Sequence, residues 1–197
     1  MGQYYRIGMK INGQVISNDR KYTGSDYVMA KLMEHSYIGN WLLDSVAAAI
    51  YKENCEHNEP VRLAWVGDYA DADNDKEVSN ITNGELTYDN VWGEKTLTPN
   101  HVFNRVKHFG YHKRFLVNLD KKLYISFDWY LKYAKENHKY TDLIINPISL
   151  LTAIGNGRGG GDYSGTHEDL VGSWAWDRIT INDKAPVGFT ELKITFE

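Results

Sequence analysis

The sequence predicts an α+β fold: a mixed or largely antiparallel sheet with covering helices, and a weak internal duplication as a candidate feature. Two observations carry this. Hairpin signals alternate irregularly with helical patterns along the 197 residues. The regular strand-helix-strand repeat of a parallel sheet is missing.

The first hairpin spans residues 4–11 and 14–17 around Asn12-Gly13, a pair that tolerates the positive φ of a two-residue turn. Asp26 is placed to cap a short helix to Glu34. A stronger helix runs over 40–54, with Asn40 as N-cap and Leu42, Val46, Ala49 and Ile50 on one face. After Pro60, residues 61–66 read as a buried strand. Leu42, Val46, Ile50, Leu63 and Val66 are expected to be buried together. Residues 67–100 are polar and turn-rich, and are expected to form an extended loop with one short strand at most.

Thr98-Pro99 opens a helix to about 109, with Thr as N-cap and Pro at the first helical position. Residues 114–118 and 123–127 form a second hairpin, and a helix over 128–138 is expected to bury Trp129, Tyr130, Tyr133 and Ala134. Residues 144–154 are apolar but hold Pro147, which leaves helix and strand both open. Residues 171–181 and 192–196 close the chain as strands. Residues 1–197 are read as one domain, with 1–100 and 101–197 as candidate lobes. The duplication rests on the two hairpins and on Trp standing just before Asp near Asp68 and near Asp177.

Composition excludes little. Aromatic residues make up 13% of the chain, and they serve cores and binding surfaces alike. Cys55 is the single cysteine, so no internal disulfide forms and nothing signals an oxidising compartment. The opening Met1-Gly2-Gln3-Tyr4-Tyr5-Arg6 has no apolar stretch of a secretory signal, and the longest apolar run, 41–50, is too short to span a bilayer. A cytoplasmic location and no membrane partner are therefore expected. The net charge of −4 argues against a nucleic-acid partner. It is unevenly spread: residues 1–100 carry 9 Lys+Arg against 15 Asp+Glu, and residues 101–197 carry 13 against 11.

The sharpest motif is Gly155-Asn156-Gly157-Arg158-Gly159-Gly160-Gly161-Asp162-Tyr163-Ser164-Gly165. Successive exposed amides in such a loop can form a concave anion site, and Arg158 adds a fork of charged donors. The loop matches neither the P-loop pattern nor the dinucleotide fingerprint. The alternative is a crowded turn without a ligand. Asp71, Asp73 and Asp75 imitate the start of a calcium loop, but Lys76 and Thr82 stand where Gly and Glu are required, so no metal is assigned. Cys55 with His57, and His101, His108 and His112, lack zinc spacing, and Ser164, His167 and Asp169 lack a nucleophile elbow.

Gly67-Asp68-Tyr69 and Gly161-Asp162-Tyr163 repeat one tripeptide where the chain leaves apolar segments. The two are expected to meet at one cleft. The candidate ligand-binding residues are Gly157, Arg158, Gly159, Gly160, Gly161, Asp162, Tyr163, Asp68, Tyr69, Trp174 and Arg178, with Arg178 assisting Arg158 and the aromatics stacking on a ring. No cofactor is indicated.

Met1-Gly2-Gln3-Tyr4-Tyr5, the stretch Lys31 to Ser36 with Gly39-Asn40, Trp65-Val66-Gly67-Asp68-Tyr69-Ala70-Asp71, the glycine loop, and Val171-Gly172-Ser173-Trp174 together resemble an uncharacterised family of bacterial and bacteriophage proteins. That family often has Gly where this chain has Trp176. The resemblance implies a small cytoplasmic protein of bacteria or their phages, and it carries over no catalytic residue. The expected function is binding of a small anionic, nucleotide-like ligand, in a phage setting a sequestered host signal. The alternatives are an enzyme acting on such a ligand with Asp68 or Asp162 as base, and an acidic inhibitor that blocks a macromolecular partner.

Overall fold

A computed structural model describes residues 3–17, 31–32, 34–71, 76–93, 106–137, 143–155, 163 and 167–195. The expected helix from Asp26 to Glu34 falls largely outside these residues, and its described residues, 31, 32 and 34, are not helical. The expected helix from Thr98 is likewise outside them except for 106–109, which are not helical.

The α+β class holds. Among the described residues eight strands form one sheet, β1 (Tyr5–Ile11), β2 (Gln14–Ser17), β3 (Val61–Gly67), β4 (Phe115–Asn118), β5 (Leu123–Ser126), β6 (Ala153–Ile154), β7 (Arg178–Asn182) and β8 (Thr190–Glu191). The order is β2-β1-β3-β7-β4-β5-β8, with β6 also on β3. Among the described strands, β3 with β6 and β5 with β8 pair in parallel and the other pairs are antiparallel. Apart from β6 and β8, the order is symmetric about the β3–β7 boundary: each half is a hairpin whose first strand pairs a later strand, β1 with β3 and β4 with β7. The two halves thus share one sheet. The Trp-Asp echo does not follow this symmetry, because Trp65 lies inside β3 while Trp176 precedes β7.

Both hairpins form as their turns dictate. Asn12 and Gly13 take φ of 50° and 71°, and Asn118 Oδ1 accepts the Lys121 N–H at 2.9 Å in the second turn. The strand expected over 171–181 is shorter: β7 starts at Arg178, and 171–176 are turns. Trp176 takes φ 62°, the left-handed region that glycine enters without cost. Residues 192–195 are not strand; β8 precedes them at Thr190–Glu191.

α1 (Trp41–His57) begins where Asn40 accepts the Leu42 N–H and ends at Asn58, with φ 54°. The polar stretch after β3 is not a plain loop. It holds α2 (Glu77–Ile81) and α3 (Tyr88–Trp92). Thr87 and Asn90 close a capping box at α3, and Val78, Leu86 and Val91 are buried beneath the polar residues. Sparse apolar residues hid both helices from periodicity. α4 (Phe127–Asn137) buries Tyr130 and Ala134, while Trp129 and Tyr133 stack half-buried. The Pro147 ambiguity resolves into both states: α5 (Pro147–Leu151) with Pro in its first turn, then β6.

The sheet has a core on each face. Ile7, Leu63, Trp65, Leu116 and Ile179 face the main core with Leu42, Val46 and Ile50 of α1. Ala64, Val66, Val78, Leu86, Val91, Ile154 and Trp176 form the second core. Val66 is therefore not buried with Leu42: strand side chains alternate, so Leu63 and Val66 face opposite sides.

One buried polar network organises the main core. Asp44, fully buried in the first turn of α1, accepts the Tyr111 O–H at 2.8 Å, the Phe109 N–H at 3.0 Å and the Gly39 N–H at 3.3 Å. Tyr111 Oη accepts from Asn146 Nδ2 at 3.0 Å, and Asn146 Oδ1 caps α5 through the Ile148 N–H. Burial first, and then the Asp44 carboxylate, hold the Tyr111 phenol well above its ordinary pKa.

Leu42→Ala is expected to cost about 2–5 kcal/mol by urea denaturation, as for a buried leucine. Tyr111→Phe, which leaves Asp44 and Asn146 each short of a partner, is expected to cost about 1–3 kcal/mol in the same measurement.

Candidate functional site

β6 runs parallel to β3, with Trp65 opposite Ala153 and Val66 opposite Ile154. Both chains therefore leave the sheet at the same end. β3 exits into Gly67-Asp68-Tyr69, and β6 exits at Gly155, the first residue of the glycine loop. The space beyond these two adjacent carboxyl ends is the candidate crevice.

Gln3 sits across this crevice. Its side chain is fully buried, and its Oε1 accepts the Tyr5 O–H at 2.8 Å. Among the described residues its Nε2 has no hydrogen-bond partner. A Cβ on Gly67 would lie 2.3 Å from that nitrogen, and a Cβ on Gly155 would lie 2.9 Å from Tyr5 Oη and 3.1 Å from the same nitrogen. Glycine at both exits is what lets the amide lie there. The Trp65 indole N–H, on the same sheet face, is also buried and has no partner among the described residues. A buried donor left unpaired costs about 1–3 kcal/mol.

Asp68 borders the same crevice. Its Oδ1 accepts the Tyr4 N–H at 3.1 Å, its own N–H donates to Tyr4 O at 2.8 Å, and its carbonyl accepts the Tyr88 O–H at 2.7 Å. Burial pushes the Asp68 carboxyl up from its ordinary value; the N–H groups of Tyr4 and of Asp68 itself pull it partly back. Burial, with the charges of Asp68 and Asp71 behind it, also raises Tyr88. On the second-core face, Arg6 packs 4.2 Å over the Trp92 ring and donates to Val91 O at 3.2 Å. Trp92 donates its indole N–H to Val66 O and stacks on Tyr88.

The sequence-predicted residues divide three ways. Asp68 and Tyr69 follow Gly67 at the same end of the sheet as Gly155. Gly157, Arg158, Gly159, Gly160, Gly161 and Asp162 lie outside the described residues, so the expected meeting of Asp68 with Asp162 lies outside them too. Tyr163 and Trp174 are buried in the main core, with Trp174 only 1% exposed. Arg178 sits elsewhere. It pairs in register with Arg62, at the start of β3, while Asp68 follows its end. At roughly 3.3 Å per residue, five residues separate Arg62 from Gly67 by about 17 Å. Arg178 is held there by Asp120, Nε to Oδ1 at 2.7 Å.

Sequence reasoning missed Gln3, Arg6, Tyr88 and Trp92. Gln3 had one signal, its place in the opening block that carries the family resemblance. The others had none, since α3 itself was unforeseen. Of the acidic run, Asp71 accepts the Val78 N–H at 3.1 Å at the start of α2; Asp73 and Asp75 lie outside the described residues. Among the described residues no helix is long and apolar enough to cross a membrane.

Against known proteins, the chain matches no protein-family model, no curated protein and no solved structure.

A carboxyl raised by folding binds its proton more tightly in the native state, so its contribution to stability is greatest in acid. That contribution falls as pH rises from the ordinary aspartate value through the raised native one. Asp68→Asn removes this dependence. Its melting temperature, relative to the parent chain, is expected to be higher at about pH 7 than at about pH 3 in differential scanning fluorimetry.

Proposed function

We propose that the protein binds a small anionic, nucleotide-like ligand in the crevice where β3 and β6 end. The observation that carries this reading is the buried Gln3 amide, whose Nε2 lies against Gly67 and Gly155 and has no partner among the described residues. A chain that keeps an unpaired donor at the root of a glycine-rich loop gains from an acceptor that arrives there. The loop sequence, with Arg158 among five glycines between Gly155 and Gly161, supplies the charge for phosphate or carboxylate.

A second reading, catalysis on the same ligand, is favoured by one observation. Burial raises the Asp68 carboxyl above its ordinary value, which makes its carboxylate a stronger base. Recovery of the ligand unchanged after prolonged incubation separates binding from turnover.

The test is thermal stabilisation by a nucleotide panel that includes ATP and GMP. At least one nucleotide is expected to raise the melting temperature. Arg158→Ala is expected to abolish that rise and leave the ligand-free melting temperature unchanged. Gln3→Glu keeps the acceptor for Tyr5 but replaces the donor with an oxygen, and is expected to weaken binding at least about tenfold. Equal nucleotide binding by the parent chain and both variants would overturn the assignment.

A further inference from the structure

A second feature lies at the other end of β3, independent of the crevice. Lys10 of β1 is in register with Arg62 of β3, and Arg62 is in register with Arg178 of β7. Three cations thus occupy one rung across three adjacent strands, with neighbouring strands about 4.8 Å apart. Register partners share a face, here the face of the second core, since Ala64 and Val66 alternate with the same parity as Arg62. Like charges directly opposite each other destabilise a sheet. A sheet that keeps three in a row needs counter-charge.

The protein supplies part of it. Lys10 Nζ meets Glu85 Oε1 at 2.5 Å. Arg178 binds Asp120 through Nε, Nη2 and its backbone N–H, each at 2.7 Å. Arg62, in the middle, lies 3.8 Å from Asp120 and donates Nη1 to the Trp176 carbonyl at 2.7 Å. That carbonyl belongs to the residue at φ 62°. Lys10 first, then the Trp176 indole N–H, lowers Glu85 from its ordinary value. Asp120 is lowered too: burial opposes this, but the Arg178 hydrogen bonds and the charges of Arg178 and Arg62 outweigh it. Three cations therefore share two ionised carboxylates. Among the described residues, Arg62 Nε and Nη2 and Arg178 Nη1 make no hydrogen bond.

The same three cations, with Asn12, Gly13, Glu59 and Pro60, line an open cavity of about 440 Å³. The two guanidinium groups are held by Asp120 and the Trp176 carbonyl and the Lys10 ammonium by Glu85, so little side-chain freedom remains to be lost on binding. Glu59 is exposed, makes no ion pair among the described residues, and opposes an anion at the cavity.

We infer that Lys10, Arg62 and Arg178 form a second anion site, for a phosphate or carboxylate group of a small molecule, whose charge completes the row. Binding is salt-sensitive, because the cations are partly exposed.

Isothermal titration at low ionic strength tests this with two probes, pyrophosphate for phosphate and citrate for carboxylate. At least one is expected to bind saturably at one equivalent, and the tighter of the two identifies the group. Arg62→Gln is expected to weaken that binding about tenfold or more, and Glu59→Gln to tighten it severalfold. Arg158→Ala is expected to leave it unchanged, which separates this site from the crevice. Circular dichroism checks that Arg62→Gln folds; if it does not, Glu59→Gln, at an exposed position, carries the decision. Absence of saturable binding by both anions overturns the inference. So does binding that Glu59→Gln fails to tighten, or binding that survives Arg62→Gln but is lost in Arg158→Ala.

Discussion

A buried carboxylate governs how this chain closes on itself. Asp44 has no exposure, and a charge in that setting is tolerated only when it is fully hydrogen-bonded. Its donors come from far away in sequence: Phe109 and Tyr111 lie more than sixty positions along the chain. Satisfying Asp44 therefore obliges the segment before β4 to pack on the first turn of α1. Tyr111 passes the constraint on to Asn146, whose side chain starts α5 and whose backbone N–H donates to Ser36 O at 2.8 Å. Tyr130 adds a further tie, donating to the Ile145 carbonyl at 2.6 Å from α4.

The candidate crevice inherits its geometry from this network. α5 is one turn long and leads directly into β6, whose second residue precedes Gly155. The position of the glycine loop's root is thus set by a chain of buried polar contacts that begins at Asp44. The other wall is set by β1, whose pairing with β3 places Tyr5 opposite Gly67 and brings Gln3 over both glycines. Apolar packing holds the sheet, and polar contacts decide which loops meet at its end.

The two ends of β3 treat polar groups differently. At the end, donors are buried and short of acceptors, in Gln3 and Trp65. At the start, cations are half-exposed and hold their carboxylates in an array with Asp120 and Glu85. Lys121 extends that array by pairing with Asp177, which also accepts from Asn118 at 2.7 Å. Exposed pairs of this kind add little stability. Their consequence is orientation of the arginines.

Short-range chemistry was legible in the residues themselves. Asn12-Gly13 dictated a turn, Asn40 a helix start, and the apolar spacing of Leu42, Val46 and Ile50 a buried face, because each depends on neighbours within a few positions. The α+β class followed from the irregular mixture of these signals. α2 and α3 were not legible, because Val78, Leu86 and Val91 are too sparse to set a period and become a core only against the sheet. The Gly67-Asp68 turn and the glycine loop were each visible as motifs. That Gly155 and Gly67 share Gln3, while Arg178 belongs with Arg62 and Lys10, was decided by strand register alone. Register is a relation between residues more than fifty positions apart, fixed by which faces must be buried together, and no local pattern encodes it.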